Sequence, residues 1–141
     1  MIKKLPFIII AWLALVGGCK SHGAELPQKF LNAEIQVESS GRDNAVGDNG
    51  RAIGCLQIHR TCWEDARQFD SSLGNYQNYS NCFNREYSCR VMSAYLHRYC
   101  PDAIRNNDFE TMARVWNGGS NGRNSTRTLD YWRKVKAALK N

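Results

Sequence analysis

The sequence predicts an α+β domain, mostly α: about five helices, with a small β-hairpin or loop set between the first and the second. Three observations predict it. Apolar residues recur at helical spacing in several segments, most regularly over 84–99, where Val91, Tyr95 and Tyr99 form one stripe with Met92 and Leu96 beside it. Residues 41–57 break that pattern with Gly41, Gly47, Gly50 and Gly54 among polar residues, the composition of a loop or short hairpin. The chain has 141 residues and no internal repeat, which is the size of one domain.

The N-terminus stands apart. Lys3 and Lys4 precede an apolar run from Leu5 to Val16, then Gly17-Gly-Cys19, the basic, apolar and small-residue regions of a secretory signal. The run is short of the roughly 20 apolar residues a membrane-spanning helix needs. Val16-Gly-Gly-Cys19 is also a loose bacterial lipobox. Two processing routes are therefore open: a lipid on Cys19 that tethers the protein to a membrane, or ordinary cleavage nearby. The expected organisation is a signal at 1–18, a polar tether at 19–27 and a folded domain at 28–141, in a secreted or periplasmic protein that is lipid-anchored if Cys19 is modified.

The elements follow in order. Pro27 suits the first turn of a helix over about 28–39, with Phe30, Leu31 and Ile35 inward and Gly41 as a left-handed stop. After the 41–57 loop, about 59–70 is expected to be helical, anchored by Trp63 and Phe69. Residues 71–81 are loop-like by composition. The 84–99 helix is terminated by Pro101. Asn107 or Asp108 can cap the next helix, where Phe109, Met112, Ala113 and Trp116 recur at i, i+3, i+4, i+7 before Asn117-Gly-Gly breaks it. Residues 121–124 form another loop, and Thr126 or Thr128 starts a last helix with Trp132 and Val135 inward.

Removing the two lysines of 1–18 takes the formal charge from +6 to about +4. A mildly basic exported protein is drawn to anionic polymers. No run of five or more basic residues occurs, so nucleic acid is not an expected partner. The six cysteines are Cys19, Cys55, Cys62, Cys82, Cys89 and Cys100. In an oxidising compartment they are expected to form disulfides, at least two among the last five, with a connectivity that spacing does not fix. Zinc is the rival use, but there is no CxxC pair and the spacings fit no common ligand set. No metal and no cofactor is expected.

The chemistry concentrates after the first helix. Leu31, Ile35 and Glu38 share a face at i, i+4, i+7, so Glu38 lies at the rim of an apolar surface. A carboxyl there has a raised pKa, as a general acid requires. Asp48, ten residues on, is either a partner carboxylate or a plain turn residue of Asp-Asn-Gly; Asp43 competes for the partner role. A second landmark is Trp116-Asn-Gly-Gly119. An aromatic ring and an amide beside glycines that permit close approach suit a sugar, so Trp116, Asn117 and Gly118 are candidate substrate contacts, or else a helix end with a core tryptophan. His59 can line the same cleft. No Ser, Cys or His motif for nucleophilic catalysis occurs.

Val37-Glu-Ser-Ser-Gly41, Gly47-Asp-Asn-Gly50 and Gly54-Cys-Leu-Gln-Ile58 together resemble the catalytic stretch of lysozymes and soluble lytic transglycosylases. Asn117-Gly-Gly-Ser-Asn-Gly122 is similar to the Asn-Gly-Gly-Pro-Asn-Gly motif of invertebrate-type lysozymes. Ala94-Tyr-Leu-His-Arg-Tyr99 and Thr128-Leu-Asp-Tyr-Trp132 resemble two further motifs of that family, and the matches run in order from about 34 to 135. The Asp48 alignment needs a one-residue gap, and the cysteines depart from the family's, so its disulfide map does not transfer.

The resemblance implies a lysozyme-like catalytic domain over 28–141, expected to be monomeric, acting on peptidoglycan glycan strands. It implies Glu38 as general acid, Asp48 as second carboxylate, and Gln57 and Tyr131 beside the substrate. The expected reaction is hydrolysis of the β-1,4 bond between N-acetylmuramic acid and N-acetylglucosamine. The alternative is lytic transglycosylase action, in which the sugar's own hydroxyl attacks and leaves a 1,6-anhydro end. A non-catalytic glycan-binding module is a third reading.

Overall fold

The computed structural model describes residues 25–140. The expected signal at 1–18, Cys19 and its lipid, and most of the tether lie outside the described residues. Leu26, at the end of the expected tether, is buried in the core.

Helix α1, Gln28–Ser39, starts directly after Pro27 and buries Phe30, Leu31, Ala33 and Ile35. Its left-handed stop falls on Ser40 (φ 54°), one residue before the expected Gly41, which is also left-handed at φ 84°. The amides of Ser40 and Gly41 then donate to the carbonyls of Gln36 and Ile35, which would otherwise end the helix unpaired.

The expected hairpin is a three-stranded antiparallel sheet of two-residue strands: β1 Val46–Gly47, β2 Ala52–Ile53 and β3 Ile58–His59, in the order β1-β2-β3. Such short strands hold because both turns are tight. Asp48, Asn49 and Gly50 all take positive φ in the first; Gly54 and Gln57 do so in the second. Gly54 is required there twice over, by its φ of 78° and by the Cys82 carbonyl oxygen, which would lie 1.9 Å from an added Cβ.

Helix α2, Arg60–Phe69, buries Trp63 and Ala66. Phe69 is not the anchor expected: it is 40% exposed, because the helix ends on it and Ala66 takes the inward position one turn earlier. Residues 71–81 also depart from expectation. They form 3-10 turns at Ser71–Leu73 and Tyr76–Phe83. Asp70 and Asn75 side chains accept the amides of Ser72 and Gln77, local bonds that suit short turns better than an open loop.

Helix α3, Arg85–Tyr99, is capped by Asn84, whose side chain accepts the Tyr87 amide at 2.9 Å. Pro101 ends it as expected and also opens a short helix that the sequence pattern did not reveal, α4 Pro101–Arg105. Helix α5, Phe109–Gly118, is capped by Asp108. Two 3-10 turns, Gly122–Asn124 and Thr126–Thr128, lead to α6, Leu129–Ala138. Thr128 precedes α6 without capping it; its hydroxyl is committed to the Gly122 and Ser125 carbonyls and accepts from Arg114 Nε.

The core is shared by all six helices, and α6 packs on both α1 and α5, so the two ends of the domain meet. Among the described residues the expected disulfides are not formed: Cys55, Cys62, Cys82, Cys89 and Cys100 are free. They act instead as small apolar packing groups. Burial pushes the thiols up, to about 12 for Cys82 and about 11 for Cys89 and Cys100, so they stay protonated.

Candidate active site

The last turn of α1, the small sheet, the start of α2 and the end of α5 enclose a cleft of about 310 Å³. Glu38, Asp48, Gln57, His59, Trp116 and Asn117 all line it, together with Ala52, Ile58 and Cys62. The sequence reading thus collected side chains of one cleft from α1, from the small sheet with its turns, and from α5. A larger hollow of about 530 Å³ shares none of these residues; it is bounded by α1, Asp43 and the start of α3. Asp43, the competitor for the partner role, faces that way and is held by Arg85 Nε at 2.8 Å.

Glu38 projects from the end of α1. Burial pushes its carboxyl up from the ordinary value, and donors from Tyr131 and Trp116 pull it part of the way back. The Tyr131 hydroxyl donates to Glu38 Oε1 at 2.7 Å. Tyr131 therefore stands behind the Glu38 carboxyl rather than in the cleft wall. The Trp116 ring forms one wall and is braced edge-on by Tyr95, with centroids 5.8 Å apart. Asn117 follows it into the cleft. Gly118 lies off the cleft, where an added Cβ would sit 2.4 Å from the Thr128 methyl. Its smallness lets α5 approach the segment that leads into α6.

Asp48 occupies the β1–β2 turn with a left-handed φ of 47°. Arg51 Nη2 reaches its Oδ1 at 2.7 Å, and His59 Nε2 lies 3.4 Å from Oδ2. The carboxylate is thus held by the last residue of its own turn and by β3. Gln57, also left-handed at φ 47°, donates from its amide to the Gly54 carbonyl at 3.0 Å. Its Oε1 lies over Gly47, where an added Cβ would come within 2.1 Å. Non-glycine residues in this region cost energy, and such strain clusters at functional loops.

One residue of this region was not singled out from the sequence. Glu34 is fully buried one turn before Glu38, and its Oε2 contacts the same Tyr131 hydroxyl. Its Oε1 has no hydrogen-bond partner among the described residues. Burial is the main cause that pushes its carboxyl up to about 8. The signal for it was present: Leu31, Glu34, Ile35 and Glu38 complete an i, i+3, i+4, i+7 face in which two of the four members are acids.

A raised, half-enclosed carboxyl facing a held carboxylate, with an aromatic ring and amides between, can donate a proton to a glycosidic oxygen and stabilise the cation that forms. The destabilase family profile matches residues 28–138. Lysozyme 1 of Crassostrea virginica is 36% identical over 112 residues, which cover 78% of this chain and 58% of that protein. An invertebrate-type lysozyme of Ruditapes philippinarum is 32% identical over 109 residues, covering 74% and 76% of the two chains. The crystal structure of Tapes japonica lysozyme superposes with a TM-score of 0.63 at 28% identity, over 80% of this chain and 90% of that one.

Proposed function

The chain belongs to the destabilase family, and from that membership we propose that it is an exported lysozyme-type glycoside hydrolase that cleaves peptidoglycan. The bond cut is the β-1,4 link between N-acetylmuramic acid and N-acetylglucosamine. Glu38 is the general acid and Asp48 the second carboxylate. The observation that carries this reading is the placement of these two groups on one cleft in different environments. Glu38 is raised by burial, and Asp48 is ion-paired in an exposed turn.

In the proposed mechanism, a glycan strand lies along the cleft with a sugar face on Trp116 and its polar groups near Asn117 and Gln57. Glu38 gives its proton to the leaving oxygen. Asp48, oriented by Arg51 and His59, stabilises the developing positive charge, traps it or directs water onto it. No cofactor is needed for these steps. Mass analysis of digested peptidoglycan tests the reading. Reducing N-acetylmuramic ends are expected; 1,6-anhydro ends would move the assignment to a lytic transglycosylase. Intact strands from well-folded protein would leave only glycan binding.

A further inference from the structure

The buried carboxyl of Glu34 has no part in the steps above, yet it touches the same hydroxyl as the acid. Tyr131 Oη, from α6, is within hydrogen-bonding reach of Glu34 Oε2 and Glu38 Oε1 at once. A phenol carries one proton, so it can donate to one of the two. The other contact is favourable only if that carboxyl is itself the donor. Glu34 is the one sealed from solvent, with an oxygen that no donor reaches. Glu38 opens on the cleft and also feels the Trp116 indole.

We infer that Glu34 is a positioning residue for Glu38: it keeps its proton, donates it in a hydrogen bond to the Tyr131 oxygen, and so commits the Tyr131 O–H to Glu38 Oε1. The inference rests on Glu38 being the acid. The acid's own proton then sits on Oε2, the oxygen that Tyr131 leaves free for the leaving group. If Glu34 ionises, Tyr131 turns its proton to Glu34. Glu38 is then drawn to donate to Tyr131, and its proton points away from the substrate. The working form therefore carries two protons, one on each glutamate. The titratable groups that bear on Glu34 are Tyr131 from α6 and Glu38 from its own helix. Burial of Glu34 places its ionisation near 8.

The test compares wild type, Glu34→Gln and Glu34→Leu on purified cell walls across pH, with folding followed by circular dichroism at each point. In wild type, log kcat/KM should fall with slope −1 once Glu38 ionises and steepen towards −2 above about pH 8, while the protein stays folded. Glu34→Leu removes the donor and should lower kcat by about ten-fold or more with KM little changed, as expected for lost orientation. Glu34→Gln keeps an N–H donor at every pH. It should restore kcat to within about three-fold of wild type and hold the slope at −1 throughout. A folded Glu34→Leu protein with wild-type kcat overturns the inference. So does a Glu34→Gln protein as impaired as the leucine variant.

Carbon-13 NMR of labelled glutamate carboxyls decides the point without activity. One carboxyl should titrate near 8, vanish in Glu34→Gln, and impose a second inflection on the Glu38 signal. No such carboxyl would overturn the inference as well. Glu38→Gln serves as the separate arm: lytic activity surviving in that variant refutes the acid assignment itself, whatever Glu34 does.

Discussion

Asp48 sits at φ 47°, a conformation that asparagine tolerates almost as readily as aspartate. Asp48→Asn therefore removes the charge and leaves the turn. It should lower the lytic rate by at least about 10²-fold, within the range of such groups. Stability should change by less than about 1 kcal/mol, since the Arg51 pair is exposed. Urea unfolding beside a cell-wall turbidity assay checks both; a near-normal rate would reduce Asp48 to a turn residue. Glu38→Gln should abolish nearly all activity in a folded protein, and more than about a tenth of the wild-type rate would refute the acid. Glu34 gives a pH signature in stability. The folded state holds a proton up to about 8 that the unfolded chain releases near the ordinary 4.5. Folded protein thus binds more protons in that window. Its stability should fall as pH rises across it, by up to about 1 kcal/mol per unit. Urea midpoints at about pH 5, 6.5 and 8 should decline in wild type and less so in Glu34→Gln. Glu38 was legible because a carboxyl ended an apolar stripe. Glu34 was passed over because its place on the apolar face shows a buried acid but not its contact with Tyr131, 97 residues away.

The sheet is the element on which the cleft depends, and two of its glycines separate folding from positioning. Gly54→Ala meets a backbone carbonyl at 1.9 Å from a left-handed φ. Neither can yield cheaply, and the variant should lose at least about 2 kcal/mol. Gly47→Ala meets only the end of the Gln57 side chain, at 2.1 Å. It should cost less than about 1 kcal/mol while pushing the Gln57 amide out of place and raising KM. Chemical denaturation and steady-state kinetics on the pair test this division; equal losses of stability would contradict it. The helices were readable because their periodicity is local. The 3-10 turns over 71–83 were not. The same Ser, Asn and Asp residues are common in open loops and in 3-10 turns, and composition does not show which backbone amides their side chains will meet. Phe69 misled for a related reason: hydrophobicity places a residue in the core only if the helix is long enough to turn it inward.

At the scale of the whole molecule, the free cysteines make a further prediction. Cys55, Cys82 and Cys100 are buried, so an alkylating reagent should leave them untouched in the native protein and label them on unfolding. Peptide mass spectrometry before and after denaturant checks this, and early labelling of these three would contradict their packing. Oxidation was inferred from export alone, but a bridge needs matching side-chain directions, which sequence spacing does not contain. The mostly helical architecture was legible because it follows from periodicity. The pairing of α1 with α6 was not, since no local pattern encodes which distant helix a face will meet. That pairing has a consequence for timing. Glu38 lies within the first fifteen described residues, and the Tyr131 hydroxyl that meets it lies within the last ten. A chain emerging N-terminus first carries Glu38 long before Tyr131 exists to complete its surroundings. Until α6 has docked on α1, the Glu38 carboxyl therefore lacks the Tyr131 hydroxyl.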